Sequence, residues 1–361
     1  MMYNNKEPTS EGPEVKRTAD KLSSVLIGQV IDKFFFRKAG FEEVIQSLVG
    51  TSVEQIHTHG KNIIIQFSNG IFLRNHMMMW GKWRIYDRKE YDEGKAKSPP
   101  RRGKRRIDGR IKNDKRSIYD SSIALIAVEE NDAEHSSNIK VHNSADNPYG
   151  SSTSDDIYGN FTADHADVRS DRRVRLVILT KDHVAVQFNG PILKFSKSNP
   201  FLTDPALTRL GPDPLKPNFS YDEAKRRYIA RLKMKLADLL LDQTFVAGIG
   251  NKYKSELLFL CRLNPFIAAD RISTEHRDLL IKRIPGILKI GYENAGRTRT
   301  LLDGEEQNKW NFRHWVFRRA GRPCWICQTP IKFDATGSSR ISFWCPNCQK
   351  ATPLDNAKKE S

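Results

Sequence analysis

The chain has 361 residues, with 60 Lys and Arg against 43 Asp and Glu, which gives a formal net charge of +17. This length allows two domains, and so large a basic excess favours a polyanionic partner, nucleic acid before an anionic membrane surface. No apolar run approaches the roughly 18 residues of a membrane span, and the first residues lack the apolar core of a signal peptide. We therefore expect an intracellular protein, in a bacterial cytoplasm or nucleoid or in a eukaryotic nucleus, rather than a membrane or secreted one.

Residues 1–9 are polar, and we expect them to form a flexible tail. From Pro13 onward, apolar residues recur at helical spacing up to Leu26, which predicts a helix that ends at Gly28. Short runs rich in β-type residues follow and predict a β-sandwich or barrel. These predicted strands cover residues 30–36, 53–59, 62–67, 71–75, 83–86, 174–179 and 183–188.

The β-type pattern stops between residues 88 and 171, where Ser, Asn, Asp, Lys and Arg dominate. Such a composition buries too little apolar surface to fold by itself, so we predict a disordered basic insertion. Only residues 123–128 are typical of a strand. The basic block at residues 101–106 suits a sequence-independent DNA contact, a nuclear address or a merely solvated loop.

Residues 200–218 contain five prolines and predict an interdomain linker, after which the periodicity becomes helical. Helices are predicted at residues 221–231, 233–241, 252–261 and 275–294. The predicted fold class is α+β, with a β-sandwich domain that carries a leading helix, then a helical domain and a zinc-ribbon hairpin. The predicted boundaries are 1–9 for the first tail, 10–205 for the sandwich domain, 206–219 for the linker, 220–322 for the helical domain, 323–350 for the zinc finger and 351–361 for the second tail.

Four of the five cysteines form two Cys-x-x-Cys pairs that are separated by seventeen residues. Two thiolates from each of two tight turns suit tetrahedral Zn²⁺ and leave it no open position, so the pattern predicts a structural zinc site. Its predicted ligands are Cys324, Cys327, Cys345 and Cys348. The segment between the pairs predicts a β-hairpin with Arg340 at its turn, where an arginine suits a phosphate or base contact as well as an ordinary surface position.

A glycine-rich turn, Gly248-Ile-Gly250, separates two of the predicted helices, and Asn251 begins the second one. Backbone N–H groups at a helix N-terminus form a natural phosphate site, to which the amide of Asn251 can contribute. Two helices around a tight turn are also typical of DNA-binding proteins, although the Gly-x-Gly pattern by itself is weak.

Four dispersed motifs together resemble the formamidopyrimidine-DNA glycosylase/endonuclease VIII family. They are Glu11-Gly-Pro-Glu14 before the first helix, His59-Gly-Lys61, the turn from Gly248 to Asn251, and the cysteine hairpin with Ser338-Ser-Arg340 and Trp344-Cys-Pro. The resemblance covers about residues 10–87 and 174–350. The Ser-Ser-Arg and Trp-Cys-Pro pieces are more similar to the endonuclease VIII branch.

The resemblance implies an enzyme that flips a damaged nucleotide out of double-stranded DNA, cleaves its glycosidic bond and then cuts the abasic site by β- and δ-elimination. It implies a monomer with structural zinc, acting on oxidised bases, of which we expect oxidised pyrimidines. Glu11 would move protons at the sugar and Lys61 would act as a cationic acid near the sugar-phosphate. Asn251 and Arg340 would hold the phosphates, and Met78, Met79 and Trp80 would fill the space that the flipped nucleotide leaves, although a Met-Met-Met-Trp run is also typical of a core.

The chain departs from the family at the nucleophile. The family uses the amine of an N-terminal proline directly before the glutamate, whereas here that position is Ser10, with nine residues in front. An internal amide nitrogen is not a nucleophile. Cleavage after Thr9 to expose the amine of Ser10, a different start of translation, and loss of the lyase step remain open, so the alternative function is a catalytically impaired relative that binds damaged DNA.

Overall fold

The computed structural model describes residues 10–78, 80–99, 167–299, 313–335 and 340–350. The predictions for both tails, for the basic block at 101–106 and for a strand at 123–128 lie outside the described residues. The chain divides into two compact units, one made of Met1–Ala96 with Asp171–Ser361 and one of Lys97–Ser170. In the second unit, Lys97 and Asp167 form an isolated antiparallel bridge, and Val168–Ser170 form a 3-10 turn.

The first unit begins with helix α1, Gly12–Leu26, as the sequence predicts. Pro13 lies in its first turn, where a missing N–H costs nothing and the fixed φ suits a helix. The buried side chains Val15, Ala19, Leu22 and Leu26 recur every three or four residues, so one face of α1 enters the core.

Two four-stranded antiparallel sheets share this core, which confirms the predicted sandwich with a leading helix. One sheet has the order β2-β3-β4-β8 and the other β1-β6-β7-β5. The strands are β1 Lys33–Phe36, β2 Val53–His59, β3 Asn62–Phe67, β4 Phe72–His76, β5 Lys82–Asp87, β6 Val174–Leu179, β7 His183–Phe188 and β8 Ile192–Ser196. Ile63, Ile65 and Phe67 of β3 are completely buried between the sheets, together with Leu176 and Ile178 of β6.

Several elements differ from the sequence prediction. Strand β1 begins at Lys33 rather than at residue 30. The chain before it bonds elsewhere, because the Gly28 N–H donates to the Val53 carbonyl at the start of β2 and the Ile31 N–H donates to the Thr51 carbonyl just before β2. Helix α2, Glu42–Leu48, and strand β8 were missed because both are short and only partly apolar. The prediction of a disordered insertion from residue 88 onward was wrong for its first residues, which form helix α3, Arg88–Asp92. Asp87 caps this helix, and Tyr91 is its buried residue.

The proline-rich segment carries two single-turn helices, α4 Pro200–Thr203 and α5 Pro205–Thr208, capped by Asn199 and Asp204. The helical half that follows contains α6 Tyr221–Ile229, α7 Leu236–Leu241, α8 Asn251–Leu260 and α9 Thr274–Glu293. Each lies within three residues of its predicted bounds. Their shared core includes the fully buried rings of Phe245 and Tyr253.

A two-stranded hairpin, β9 Lys332–Ala335 and β10 Ile341–Trp344, follows the helices and places Phe333 opposite Phe343. It packs with Phe259 of α8, Val316 and Phe317 in a separate small core. Residues 336–339 at its tip lie outside the described residues. None of the helices that the structure describes is long and apolar enough to cross a membrane.

Candidate active site

Three glycines from distant parts of the chain meet backbone to backbone, and we call Gly12, Gly60 and Gly248 the glycine junction. The Gly12 N–H donates to the Gly248 carbonyl at 2.8 Å. A Cβ on Gly248 would lie 3.4 Å from the Gly12 Cα and 3.6 Å from the Gly60 Cα, and its φ of +95° is one that only glycine adopts readily. The junction therefore joins the start of α1, the β2–β3 turn and the turn before α8.

Glu11 lies directly beside this junction and caps α8. Its side chain is buried, at 5% exposure. Oε1 accepts from the Lys252 N–H at 3.0 Å and Oε2 from the Tyr253 N–H at 3.3 Å. A Cβ on Gly250, the residue before the helix, would lie 2.4 Å from the Glu11 Cδ, so glycine is needed there. The carboxylate thus satisfies two N–H groups at a helix terminus that favours negative charge.

Glu14 lies one turn further along α1 and faces the same end of α8. Its Oε1 accepts from the Tyr253 hydroxyl at 3.1 Å and forms an ion pair with the Lys252 ammonium. Burial raises the pKa of Glu14, Lys252 acts in the opposite direction, and Glu11 raises it further. This pairing could not be predicted from the sequence, because Lys252 and Tyr253 have no motif that marks them as partners of Glu14.

Lys61 follows the junction in the β2–β3 turn and is only partly exposed. Burial lowers the pKa of Lys61 to about 8, with Arg340 acting in the same direction and Glu11 and Glu14 in the opposite one. The structure therefore brings Glu11, Glu14 and Arg340 within electrostatic reach of Lys61. The turn itself is fixed by Asp213, whose Oδ2 accepts from the Gly60 N–H at 2.8 Å.

Asn251 begins α8 and Arg340 directly precedes β10, and one side chain bonds to both of these places. Lys254, a residue that the sequence analysis did not single out, donates to the Asn251 Oδ1 at 3.0 Å and to the Ile341 carbonyl at 3.1 Å. Arg340 is exposed and directly precedes β10. Ser10 is partly buried and directly precedes Glu11.

The methionine-rich run divides between core and surface. Met77 is buried in the sandwich core, whereas Trp80 is 41% exposed. Met78 has a left-handed φ of +50°, and its N–H donates to His76 Nδ1 at 3.2 Å. Burial, with Lys61 and Arg74 nearby, lowers the pKa of His76 to about 4, so the neutral ring can accept that bond at neutral pH. Met79 lies outside the described residues.

The four predicted metal ligands converge. Their Sγ atoms all lie within 4.8 Å of one another, with Cys327 at 3.4 Å from Cys348 and Cys324 at 3.8 Å from Cys348. Four sulfurs around a tetrahedral ion with bonds of about 2.3 Å would be about 3.8 Å apart, so the cluster fits a metal ion. Gln349 fixes this site to the helical core, because it accepts from the Cys345 N–H at 2.9 Å and donates to the Leu263 carbonyl at 2.8 Å.

A second buried carboxylate, which sequence analysis also missed, ties α8 to the chain before the hairpin. Glu256 accepts from the backbone N–H groups of Trp315, Val316 and Phe317, each at 2.8 Å. Three such bonds satisfy a charge that would otherwise be costly to bury. Helix α8 therefore holds the hairpin and the segment that leads to it in one arrangement.

Comparison with known proteins agrees with this architecture. The model of the formamidopyrimidine-DNA glycosylase N-terminal domain matches residues 9–121, and that of the formamidopyrimidine-DNA glycosylase H2TH domain matches residues 210–302. Endonuclease 8 of Escherichia coli is 25% identical over 341 residues, which cover 94% of this chain and 99% of the relative. Endonuclease 8 of Salmonella arizonae is 26% identical over 342 residues, with the same shares of both chains.

Among solved structures, the Lactococcus lactis Fpg in complex with DNA that contains an abasic site has a TM-score of 0.63 at 20% identity, over 94% of this chain and 99% of the other. The same enzyme with DNA that contains an oxidised pyrimidine has a TM-score of 0.62 at 20% identity, over the same shares. The sandwich, the helices around the glycine turn and the cysteine hairpin thus have the fold of a helix-two-turn-helix DNA glycosylase. The chain belongs to the formamidopyrimidine-DNA glycosylase/endonuclease VIII family.

Proposed function

We propose that this protein is a DNA repair glycosylase with abasic-site lyase activity, acting on oxidised bases in double-stranded DNA. The observation that carries the proposal is that Glu11 and Lys61 both directly flank the glycine junction, while Arg340 from a third part of the chain lies close enough to act on the charge of Lys61. A sugar-phosphate needs this combination, because its phosphate requires cations and its sugar requires a group that moves protons.

DNA binds to the surface residues around Glu11 and Lys61. Asn251 and Arg340 bind the phosphates that flank the flipped nucleotide, as amide and guanidinium donors suit phosphate oxygens. Trp80, Met78 and Met79 enter the stack where the nucleotide has left it. The exposure of Trp80 and the strained backbone of Met78 support this role.

The chemical step requires a terminal amine next to Glu11. The amine nitrogen of Ser10, once exposed by removal of residues 1–9, attacks C1′, the bond from C1′ to the base breaks, and the base leaves with a proton. The C1′–O4′ bond then breaks as the sugar ring opens, O4′ takes up a proton, and the nitrogen lone pair forms the C1′=N double bond of the protonated Schiff base. Removal of a C2′ proton then expels the 3′ phosphate, and a second elimination expels the 5′ phosphate. Glu11 accepts and returns protons at the sugar, and Lys61 places a positive charge beside the departing phosphate.

We assign Zn²⁺ to the four-cysteine cluster, in a structural role. Four thiolates and no oxygen ligand are typical of structural zinc, and a closed tetrahedral set has no position for a substrate. The ion would hold the hairpin that carries Arg340, while the hydrogen bonds of Gln349 hold the cluster against the helical core.

Oxidised pyrimidines are the proposed lesions, with oxidised purines as the alternative substrate class. The Ser338-Ser-Arg340 and Trp344-Cys-Pro segments support the endonuclease VIII branch, and the relatives named Endonuclease 8 support it as well. Excision from matched duplexes that carry either 5-hydroxyuracil or 8-oxoguanine distinguishes the two classes. Faster release of 8-oxoguanine would contradict the proposed preference.

Borohydride trapping on a duplex with an abasic site tests the enzymatic function. Two forms of the protein are compared, the full chain and a chain released by a specific protease so that it begins at Ser10. We expect a covalent adduct with the second form, mapped by mass spectrometry to the Ser10 amine. Tight binding to abasic DNA by both forms, with no adduct in either, would instead identify a damage-binding relative without lyase activity.

A further inference from the structure

Lys254 is a buried cation that the proposed mechanism does not use. It lies in the first turn of α8 and is completely buried. A buried ammonium is costly unless its protons find acceptors, and here Nζ donates to the Asn251 Oδ1 at 3.0 Å and to the Ile341 carbonyl at 3.1 Å. These two acceptors lie on different elements, the helix and the hairpin.

The bond to Asn251 determines how that amide can be used. Oδ1 is occupied by Lys254, so the NH₂ group of the same amide is the part that remains to meet a ligand. An NH₂ group donates, and a phosphate oxygen accepts. The bond from Lys254 therefore presents Asn251 in the orientation that a phosphate requires.

The bond to Ile341 acts on the second phosphate-binding residue. Ile341 is the first residue of β10 and directly follows Arg340. Fixing its carbonyl to α8 fixes the backbone from which the Arg340 side chain extends. Helix α8 and β10 are also joined by the Phe343 N–H, which donates to Ser255 Oγ at 3.4 Å.

Burial and three charged groups determine the pKa of Lys254. Burial lowers its pKa to about 7, Glu11 and Asp238 of α7 act in the opposite direction, and Arg340 lowers it further. Its charge therefore changes near neutral pH. A phosphate anion that arrives next to Asn251 favours the charged form, so DNA binding above pH 7 is coupled to proton uptake.

We propose that Lys254 is a positioning residue that joins Asn251 and Arg340 into one phosphate-binding unit across the boundary between helix and hairpin. The proposal rests on the DNA-binding function proposed above. It assigns to Lys254 no contact with DNA, since the side chain is completely buried.

A double-mutant cycle tests the proposal on the full chain. The Kd for a duplex with a tetrahydrofuran abasic analogue is measured by fluorescence anisotropy at pH 6.5 for wild type, Lys254→Met, Asn251→Ala and the double variant. The analogue cannot react, so lyase activity does not enter. We expect each single variant to bind about tenfold more weakly and the double variant little more weakly than either, because both changes remove the same contact. Multiplicative losses would overturn the proposal.

The pH profile provides a readout that a merely structural residue would not change. Between pH 6 and 9 at constant ionic strength, the wild-type affinity for the analogue should decrease, and one component of this decrease should have its midpoint near pH 7. Lys254→Met should lack that component. Lys254→Arg keeps the charge and the donors, and should restore binding without that component. An unchanged component in Lys254→Met would contradict the role.

Folding controls keep the outcomes separate. Metal content and thermal unfolding are measured for each variant. If Lys254→Met loses its metal or its fold, the pH profile of Asn251→Ala decides, because the component near pH 7 must shrink when the residue through which Lys254 acts is gone. If the wild-type protein binds the analogue no more tightly than an undamaged duplex, the proposed function itself fails. If it binds the analogue more tightly but the affinity losses of the two single variants multiply in the double variant, only the role of Lys254 fails.

Discussion

At the scale of single residues, burial changes the chemistry of groups that look ordinary in the sequence. Lys61 could be identified from its motif, but its lowered pKa could not, because the lowering results from packing that brings the β2–β3 turn against the turn before α8. His76 and Lys254 carry no sequence signal at all. Their lowered pKa values arise first from burial and then from neighbouring cations, among them Lys61 for His76 and Arg340 for Lys254, which are distant along the chain.

The charge of Lys61 should make DNA binding depend on pH. Its pKa is lowered to about 8, so in the DNA-free protein the ammonium is charged below that pH and neutral above it. The attraction to phosphate is therefore present below pH 8 and is lost as the pH rises through it. Calorimetric titrations at pH 8.5 in two buffers of different ionisation enthalpy should show proton uptake by wild type and less uptake by Lys61→Met. Equal uptake by both would exclude Lys61 from the phosphate site.

Arg340→Ala should weaken binding to abasic-site DNA by about tenfold with little loss of stability. The side chain is exposed, and its removal leaves in place the pairing of Phe333 with Phe343 and the bond from Lys254 to the Ile341 carbonyl. Lys332→Ala removes another exposed cation from the same hairpin and serves as the matched control. Anisotropy titrations measure both, and equal effects would show that Arg340 contributes only general charge.

At the scale of elements, α8 connects the parts of the site. Its first turn is capped by Glu11, Lys254 and Ser255 bond to β10, and Glu256 bonds to the segment 315–317. The sequence predicted the helix within one residue at each end, but not these contacts. A Lys-Tyr-Lys-Ser-Glu run reads as the exposed face of a helix, and only the tertiary structure shows that residues 252–259 are all buried.

The hairpin should depend on its metal, whereas the sandwich should not. Cys345→Ser removes one of four ligands, and a core as small as that of the hairpin cannot replace the lost binding energy. We expect loss of zinc and of DNA binding, with the β-sheet signal of circular dichroism retained. Cys261→Ala is the control, because that cysteine is buried in the helical core away from the cluster. A full complement of zinc in Cys345→Ser would contradict this assignment.

At the scale of the whole molecule, the sandwich and the helical half have separate cores, and the two halves touch at the glycine junction and beside α1. Arg17 donates to the Tyr292 carbonyl at 2.7 Å, and the Tyr292 hydroxyl donates to Asp20 at 2.7 Å. The order of the two halves could be predicted from the change in periodicity along the chain. Their apposition could not, since glycines and single polar side chains carry no periodic pattern.

Gly60→Ala tests how much the junction contributes to stability. Alanine is strained at the positive φ of +57°, and its Cβ would lie 3.0 Å from the Ala247 Cβ and 3.2 Å from the Gly248 N, closer than an ordinary contact. We expect the free energy of unfolding to fall by about 2–4 kcal/mol, and DNA binding to weaken with it. Gly70→Ala also has a positive φ, +83°, but meets no atom within 4 Å, so it should cost about 1–2 kcal/mol. Equal losses in urea unfolding would show that the close approach adds nothing.

The glycine junction also constrains how this sequence can diverge. In the two hydrophobic cores a lost methylene can be compensated by a larger neighbour, because such exchanges conserve volume. At Gly12 and Gly248 the nearest atoms belong to the backbone, so a first substitution there finds no neighbouring side chain whose shortening would make room for it. At Gly60 the nearest atom is the Cβ of Ala247, which only a change to glycine could remove. Both hydrophobic cores can therefore accept compensating changes, whereas the three positions that set the distance between the halves have almost none.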